Sequence, residues 1–220
     1  MDHVLDYDEL EEALDRAHPT LLHDRARASL AEIASGEREL AAIRHPLGFL
    51  CLPLVRDGAR GVCVHLFEPG VAPEPGTPQM HAHSWDLRSH VLYGQVANLL
   101  VRTEYGAGRP THRVFEVHSA PDGTDEIRPT PVLVRSEPGP RSVSSGGESY
   151  TLPAGEFHAT EVLPARPAAT LVLGLARPGC TDLSLGPLDG RAGRTARRLC
   201  STRQTVRNVS AALGRMDHAR

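Results

Sequence analysis

The stretches HAH at 81–83 and PAGEFH at 153–158 decide the fold of this chain, and both lie in sequence typical of β-strands. Side chains two positions apart on a strand share one face, so His81 and His83 can bind one ion together. A neighbouring strand can bring His158 to the same point. The three imidazoles therefore predict a metal site between two strands. The alternative is three structural histidines, each satisfied by hydrogen bonds of its own.

Short alternating runs, separated by Gly and Pro, fill the sequence around these two stretches. The runs at 49–55 and 61–67 flank the dipeptide Asp-Gly at 57–58, which indicates a hairpin. Further runs occur at 87–93, 95–101, 112–118, 131–135, 149–152, 158–163 and 169–176. Many short strands without helical spacers predict an antiparallel sandwich or barrel rather than a βαβ sheet.

Helical patterns are confined to the two ends of the chain. Asp6 and Glu9 form a capping box for a first helix, and a second helix starts at Pro19 and stops at Gly36. Residues 1–44 are therefore predicted to be an N-terminal helical extension. The predicted barrel covers residues 45–180.

Residues 181–220 are predicted to form a linker and a basic amphipathic helix, with the helical pattern running over 191–213. The apolar stripe of that helix is predicted to contain Leu199, Thr202, Val206, Val209 and Leu213. Its arginines suit a nucleic acid or a protein partner, or a terminal helix that simply docks on the barrel. We favour the docked helix, because charge runs on helices are mostly solvated surface.

Composition limits the classes of function. The 220 residues carry a net charge of -3, which gives no global electrostatic attraction to nucleic acid or to an anionic membrane. All basic residues are Arg, so a Schiff-base lysine is excluded. The acidic N-terminal sequence and the four scattered cysteines, which lack a C-x-x-C, predict a reduced, cytoplasmic protein.

Two spaced patterns carry a family resemblance. The pattern H-x-H-x10-G at 81–94 has the spacing of the first cupin motif, and G-x5-P-x-G-x2-H at 147–158 has that of the second. The second motif departs from the family at its end, where Val162 replaces the usual Asn. The chain therefore resembles the cupin superfamily over about residues 45–180. The resemblance implies an all-β jelly-roll barrel, the double-stranded β-helix, with one mononuclear metal inside.

The resemblance implies His81, His83 and His158 as metal ligands, but the family's usual Glu ligand is replaced by Leu87. Asp86 is then either a fourth ligand or, as we favour, a turn residue or an acceptor that orients a ligand histidine. Three-histidine sites in the family resemble those of cysteine-type and ring-cleaving dioxygenases. They imply one divalent ion, with Fe(II) favoured and Ni, Mn, Cu or Zn also suited to imidazole.

These features predict a mononuclear non-haem iron oxygenase, dioxygenase-like, that uses O₂ on a small, anionic, metal-chelating substrate. The alternatives are a metal-dependent isomerase, lyase or cyclase, and a non-catalytic ligand-binding cupin. No nucleic acid or membrane partner is expected, and the sequence leaves a homodimer open. The residues expected to line the pocket are Trp85, Leu87, Arg88 and Ser89, with Arg88 or Arg102 as an anion contact.

Several further residues lie near the predicted barrel lumen. His90 is expected to face outward, by alternation from Leu87, and His45 is expected to cap the mouth of the barrel. The strand face that carries Cys63 and His65 lines the barrel mouth, or it faces solvent or a helix; the pattern leaves both open. Cys51 is expected to be a small core residue.

Overall fold

A computed structural model describes residues 5–120, 123–163 and 166–218 of the chain. The helices are α1 (Tyr7–Asp15), α2 (Pro19–Ser35) and α3 (Thr202–His218). The strands are β1 (Ile43–His45), β2 (Phe49–Asp57), β3 (Arg60–Phe67), β4 (His81–Ala82), β5 (Trp85–Tyr93), β6 (Gln95–Tyr105), β7 (His112–Ser119), β8 (Thr124–Ser145), β9 (Ser149–Leu152), β10 (His158–Glu161), β11 (Ala168–Ala176), β12 (Asp182–Gly186), β13 (Gly193–Ala196) and β14 (Arg198–Leu199).

The strands form two antiparallel sheets. The first sheet has the order β14-β1-β2-β3-β11-β5-β9, and the second has the order β13-β8-β6-β10-β4-β12-β7. The long strand β8 also pairs with β7, so the second sheet closes on itself. Sequential hairpins alternate with long crossovers between the sheets, and every pairing is antiparallel. The predicted all-β jelly-roll barrel with helices at both ends is confirmed.

Alternation along the first sheet separates its two buried faces. On β2, Leu50 and Leu52 face the helices and belong to the largest apolar core. Phe49 and Cys51 point the other way, into the lumen between the sheets. The same core includes buried residues of α1, α2 and α3, so the three helices cover the outer face of this sheet. The lumen between the two sheets is therefore not filled by the helices and remains available for the three histidines.

The predicted starts of the two N-terminal helices and the stop of the second are confirmed, although Glu9 binds Arg25 instead of closing the capping box. Asp6 is the N-cap of α1, and its side chain accepts a hydrogen bond of 2.9 Å from the backbone N–H of Asp8. Helix α2 has Pro19 in its first turn and ends at Gly36, whose φ of +84° is the left-handed conformation that glycine adopts most easily.

The prediction of helix over 191–199 is wrong. This segment forms β13, which pairs with β8, and β14, which pairs with β1. Ala and Arg favour a helix locally, but pairing with two sheet edges supplies backbone hydrogen bonds that override this preference. The helix begins only at Thr202.

The predicted apolar stripe of the last helix is only partly correct: Val209 is buried, and Leu213 packs, partly buried, against the main core. The buried residues of α3 are Thr205, Val209, Ala212 and Met216, and Leu199 is 66% exposed in β14. The observed stripe lies about one position away from the predicted one, because α3 starts at Thr202, eleven residues after the predicted start, and docks against α2. Docking on the barrel, the alternative that we favoured, agrees with this burial.

Three strands beyond residue 180 complete the sheets, and β13 forms one edge of the second sheet. Strand β12 lies between β4 and β7, and β14 forms one edge of the first sheet. The limits 1–44, 45–180 and 181–220 as separate units stay a prediction. In the part of the chain that the structure describes, no helix is long and apolar enough to cross a membrane.

Candidate metal centre

Three imidazoles converge inside the barrel. His158 on β10 is paired directly with His81 on β4, and His83 follows β4 by one residue. The ring centroids are 4.4 Å apart for His81 and His158, 4.9 Å for His81 and His83, and 5.1 Å for His83 and His158. One ring nitrogen from each residue lies within 4.8 Å of the other two. This arrangement can hold one ion.

Backbone carbonyls fix which nitrogen two of the rings present. Nδ1 of His81 donates to the carbonyl of Gln79 at 2.9 Å, and Nδ1 of His158 donates to the carbonyl of Glu156 at 3.0 Å. A carbonyl can only accept, so in both rings the proton lies on Nδ1 and Nε2 carries a lone pair. Such carbonyl partners are typical of metal-ligating histidines.

Burial keeps the three imidazoles neutral. It lowers the pKa of His81 to about 3, with a further contribution from His158 that outweighs the opposing hydrogen bond to Gln79. Burial is also the main cause that lowers the pKa of His83 and of His158 below the ordinary value. A neutral imidazole is the form that binds a metal ion, so the site needs no deprotonation at neutral pH.

The loop before His158 is fastened to the strand that follows His83. The N–H of Gly155 donates to the carbonyl of His83 at 2.9 Å, and the N–H of Ala154 donates to the carboxylate of Asp86 at 2.9 Å. The φ of Gly155 is +79°, as the predicted tight turn requires. These two hydrogen bonds fix the position of His158 relative to the rings of His81 and His83.

Asp86 is not placed as a ligand. Its second carboxylate oxygen binds the guanidinium of Arg177, and the pKa of Asp86 is lowered mainly by this contact and also by the bond from Ala154. The three histidines form a group that contains no carboxylate of the described residues. Of the two expectations for Asp86, the structure favours an acceptor role, but the acceptor holds the backbone of the 153–158 loop instead of a histidine ring.

The triad faces a cavity of about 190 Å³ between the sheets. Trp85 and Leu87, two of the four predicted lining residues, both line it, and the Trp85 ring lies 4.8 Å from the His83 ring. Trp85 also packs flat against Gly174 of β11, where a Cβ atom would overlap the indole. Trp85 therefore lines the pocket, as expected, and also contacts a neighbouring strand.

The remaining predicted lining residues lie elsewhere. Ser89 is fully buried and does not line the cavity. It is paired with Tyr150 between β5 and β9, and Tyr150 does line the cavity. Arg88 points to the helices, where it forms ion pairs with Asp15 at 2.7 Å and Glu11 at 3.9 Å. Strand alternation explains this placement, because Arg88 lies between two inward residues.

The arginines that do reach the cavity were missed by the sequence analysis. Arg102 is exposed on β6 and does not line the cavity, whereas Arg56 and Arg197 do. Nε of Arg197 lies 3.2 Å from the carboxylate of Asp125, which compensates its charge. Among the described residues Arg56 has no ion-pair partner. Arg197 was not predicted because its segment was expected to be helical. Arg56 was not predicted because it lies at the end of a hairpin, where strand alternation gives no clear direction.

A buried tyrosine also lines the cavity. Tyr150 is close to Ser89 and Asn98, and burial raises the pKa of its phenol although the side chains of these two neighbours lower it. Asn98 in turn accepts a hydrogen bond of 3.0 Å from the hydroxyl of Thr160. The phenol thus stays protonated and can donate a hydrogen bond. Its signal in the sequence was its alternation with Leu152, which also faces inward.

The face of β3 that carries Cys63 and His65 lines the lumen, which resolves the two alternatives. Cys51 is a small buried residue, as expected, in an apolar cluster with Phe49 and Cys63, and it also lines this cavity. His45 lines the cavity as well, and its ring stacks on Phe49 at 4.3 Å. Burial lowers the pKa of His45 to about 3.

His90 faces away from the cavity, as the alternation predicted. It is 2% exposed at the boundary between β5 and α2, where its Nδ1 lies 3.0 Å from the hydroxyl of Ser149. Burial lowers the pKa of His90 to about 4. His90 is therefore a structural histidine between sheet and helix, remote from the triad.

Solved structures with a similar fold include several enzymes, while no family model and no curated protein matches the sequence. The polyketide cyclase RemF from Streptomyces resistomycificus is 20% identical, with 65% of this chain and 78% of the cyclase covered and a TM-score of 0.37. The DMSP lyase DddQ from Ruegeria pomeroyi is 17% identical, with 61% and 50% covered and a TM-score of 0.35.

A hydroquinone 1,2-dioxygenase, solved with Cd²⁺ and 4-hydroxybenzonitrile, is also 17% identical, with a TM-score of 0.33. It covers 57% of this chain, and 63% of the dioxygenase is covered in turn. The chain thus spans about half of the lyase and under two thirds of the dioxygenase. The likeness is one of fold, and the function has to be argued from the residues of the site.

Proposed function

We propose that this protein is a mononuclear non-haem iron oxygenase, dioxygenase-like, acting on a small, anionic, metal-chelating substrate. One observation carries the proposal: three neutral, buried imidazoles converge on one point and no carboxylate of the described residues joins them. A donor set without charge leaves the full positive charge of a divalent ion uncompensated. An anionic substrate that binds through two atoms is the natural partner of such an ion.

The residues fit the implied metal. His81, His83 and His158 would hold the ion, and imidazole nitrogen suits Fe(II) as well as Ni, Cu and Zn. Three ligands cannot complete an octahedron, so at least two positions face the cavity. When bound, Fe(II) would supply a redox-active Lewis acid for the chelating substrate and for O₂. The bond from Gln79 to His81 and the bond from Glu156 to His158 keep the Nε2 atoms available.

The cavity walls suit a compact anion. A volume of about 190 Å³ is below the ~300–1,000 Å³ of common ligand pockets, which favours a small molecule. Arg56 at the rim has no ion-pair partner among the described residues and can attract a carboxylate. Trp85, Leu87 and Leu152 line the same cavity with apolar side chains, which would help to keep water away from the ion. The protonated Tyr150 can donate a hydrogen bond to a substrate oxygen.

The first experiment needs no known substrate. Protein purified without added metal is loaded anaerobically with Fe(II) and treated with nitric oxide, a paramagnetic substitute for O₂ that binds only an iron with an open position. We expect one iron per chain and an electron paramagnetic resonance signal of an iron–nitrosyl centre. The variant His158→Ala should lose both, whereas His18→Ala, which changes an exposed histidine far from the site, should keep both.

The second experiment tests the reaction. Oxygen uptake by the Fe(II) protein is followed with a panel of small 2-hydroxy acids, thiol carboxylates and catechols. Uptake that depends on one of these compounds and disappears in His158→Ala supports the proposal. Arg56→Gln should raise KM more than it lowers kcat, because this residue is assigned to binding. Retention of iron and activity by His158→Ala would refute a metal-centred reaction.

A metal-dependent isomerase, lyase or cyclase is the second candidate, and one observation favours it. The carboxylate of Asp182 lines the same cavity and is held there by the N–H of Ser84 at 2.6 Å, where it can act as a general base. In that case the ion polarises a carbonyl, and O₂ takes no part. Undiminished product formation under anaerobic conditions would decide for this candidate.

A further inference from the structure

A second group of metal-ligand side chains lies on the wall of the same cavity. One ligand atom each from Cys51, Cys63 and His65 lies within 4.8 Å of the other two. All three residues line the cavity that the histidine triad faces. Cys51 and Cys63 are only 8% and 5% exposed, and neither forms a disulfide.

The strand register brings these three side chains together. Cys51 on β2 is directly opposite His65 on β3, and Cys63 precedes His65 by two residues on the same face. The backbone hydrogen bonds of the β2–β3 hairpin therefore fix the positions of all three Cβ atoms. The ring of Phe49 packs 4.4 Å from the ring of His65 and restricts its rotation. The donors are arranged before any ion arrives.

We propose that Cys51, Cys63 and His65 form a second metal site, which binds Zn²⁺ beside the three-histidine centre. Two thiolates and one imidazole are soft to borderline donors, which suit Zn²⁺ and exclude Mg²⁺ and Ca²⁺. Zn–S and Zn–N bonds of ~2.3 and ~2.0 Å require the donor atoms to approach one another by up to about 1 Å, which side-chain rotation allows. The fourth position of the tetrahedron faces the cavity.

The surroundings distinguish these cysteines from an ordinary core cysteine. Cys200 is equally buried, at 3% exposure, but it packs among apolar residues under α3. Cys51 and Cys63 instead line the cavity, and Arg56 lines it as well. In the filled site two thiolates would balance the charge of Zn²⁺, and a nearby guanidinium favours the thiolate forms that bind the ion. The inference does not depend on the proposed oxygenase reaction.

Co²⁺ provides the test, because only a cysteine-bearing site gives a thiolate-to-Co²⁺ charge-transfer band in the near ultraviolet. Reduced protein is titrated anaerobically with Co²⁺ while the absorbance and the bound metal are measured. We expect two ions per chain and the charge-transfer band. Addition of Zn²⁺ should abolish the band, since tetrahedral thiolate sites prefer Zn²⁺.

Variants assign each ion to its site. Cys51→Ser and Cys63→Ser should each lose the band and one of the two ions, and His65→Ala should weaken the binding responsible for the band at least 10-fold. His158→Ala should keep the band while losing the other ion. Cys200→Ser and Cys180→Ser serve as controls, in which the band and both bound ions should be unchanged. If the cysteine site does not exist, the band is absent; if the histidine triad binds no metal, the band remains and only the other ion is missing.

Two outcomes would overturn the proposal. One is a wild-type protein that binds a single Co²⁺ without the charge-transfer band. The other is a band that survives in both Cys51→Ser and Cys63→Ser, which would place it at another cysteine. Far-ultraviolet circular dichroism of each variant shows that it is folded. If one serine variant does not fold, the other and the Zn²⁺ competition in wild-type protein still decide the question.

Discussion

The buried histidines of this protein differ in what their ring nitrogens contact, and this difference decides their roles. His81 and His158 each donate from Nδ1 to a backbone carbonyl and keep Nε2 in the cavity. His90 is just as buried, but its ring contacts Ser149 and lies against α2. The same side chain therefore serves as a ligand candidate on one face of the barrel wall and as packing on the other.

His90 should make the stability of the fold depend on pH. Its pKa is about 4 in the folded protein and 6.5 in an unfolded chain, so the unfolded state binds more protons between these values. Stability is therefore lost as the pH falls from 6.5 toward 4. For His90 alone the loss should be on the order of 2 kcal/mol between about pH 6.5 and pH 4.5.

The comparison of wild-type protein with His90→Gln isolates this contribution, because the other buried histidines are common to both. Urea unfolding at a series of pH values should give a shallower pH dependence for the variant than for wild type. Parallel curves for the two proteins would show that His90 does not titrate in this way.

Asp86 should control metal affinity without touching the metal. Its carboxylate holds the N–H of Ala154 in the loop that presents His158, and Arg177 holds the carboxylate. Asp86→Ala should weaken Co²⁺ binding by His81, His83 and His158 roughly 10-fold, in the range found when the supports of metal ligands are removed.

Two matched variants separate the contacts of Asp86. Asp86→Asn keeps an acceptor for Ala154 and should weaken the binding much less than Asp86→Ala. Arg177→Gln removes only an ion pair that is half exposed, so its effect should be the smallest. Equal affinities in Asp86→Ala and wild type would contradict the positioning role.

At the scale of elements, α3 shows how tertiary contacts override a local pattern. Its buried side chains face α2 and the first sheet, and ion pairs of Arg27 with Asp217 and of Arg215 with Glu68 flank the contact. The preceding segment 191–199 joins two sheet edges instead of extending the helix. The choice depends on strands far away in the sequence, which a local periodicity does not contain.

The corrected register of α3 predicts which substitutions destabilise the protein. Met216 is fully buried in the main core, and Met216→Ala should lower the free energy of unfolding by about 2–5 kcal/mol. Leu199, which the sequence pattern placed in the stripe, is 66% exposed, and Leu199→Ala should change it by less than ~0.5 kcal/mol. Chemical denaturation of both variants tests the register, and the reverse order of effects would restore the sequence-based stripe.

At the scale of the whole molecule, the outer face of the first sheet contributes to stability, and the lumen between the two sheets contains the candidate site. The helices and the outer face of the first sheet form the largest core, and the lumen between the sheets holds the polar groups of the site. Two short motifs were enough to predict the barrel and the convergence of His81, His83 and His158, because each motif fixes its own turn and strand. The spacing of residues within each motif is therefore sufficient to predict the local turn and the strand that follows it.

The other cavity residues could not be predicted in this way. Arg56, Tyr150 and Arg197 come from three separate segments, and only the closure of the two sheets brings them to one lumen. Asp86 was recognised as a candidate, yet its partner Arg177 lies 91 positions away. The sequence thus predicts elements whose geometry is local, while the charge and the hydrogen bonding of the cavity depend on how the sheets close.

The histidine centre should couple metal binding to the stability of the whole barrel, since the ion would join β4 and the loop before β10. An ion that binds only the folded state, at a free concentration 100 times its Kd, stabilises by about 2.7 kcal/mol. For a chain of this size we expect Tm to rise by roughly 5–10 °C.

Measurement in a Cys63→Ser background removes the contribution of the second site. Differential scanning calorimetry with Co²⁺ and then with a chelator should show the rise and its reversal. His158→Ala in the same background should show neither, and an equal rise in that variant would mean that the ion binds elsewhere.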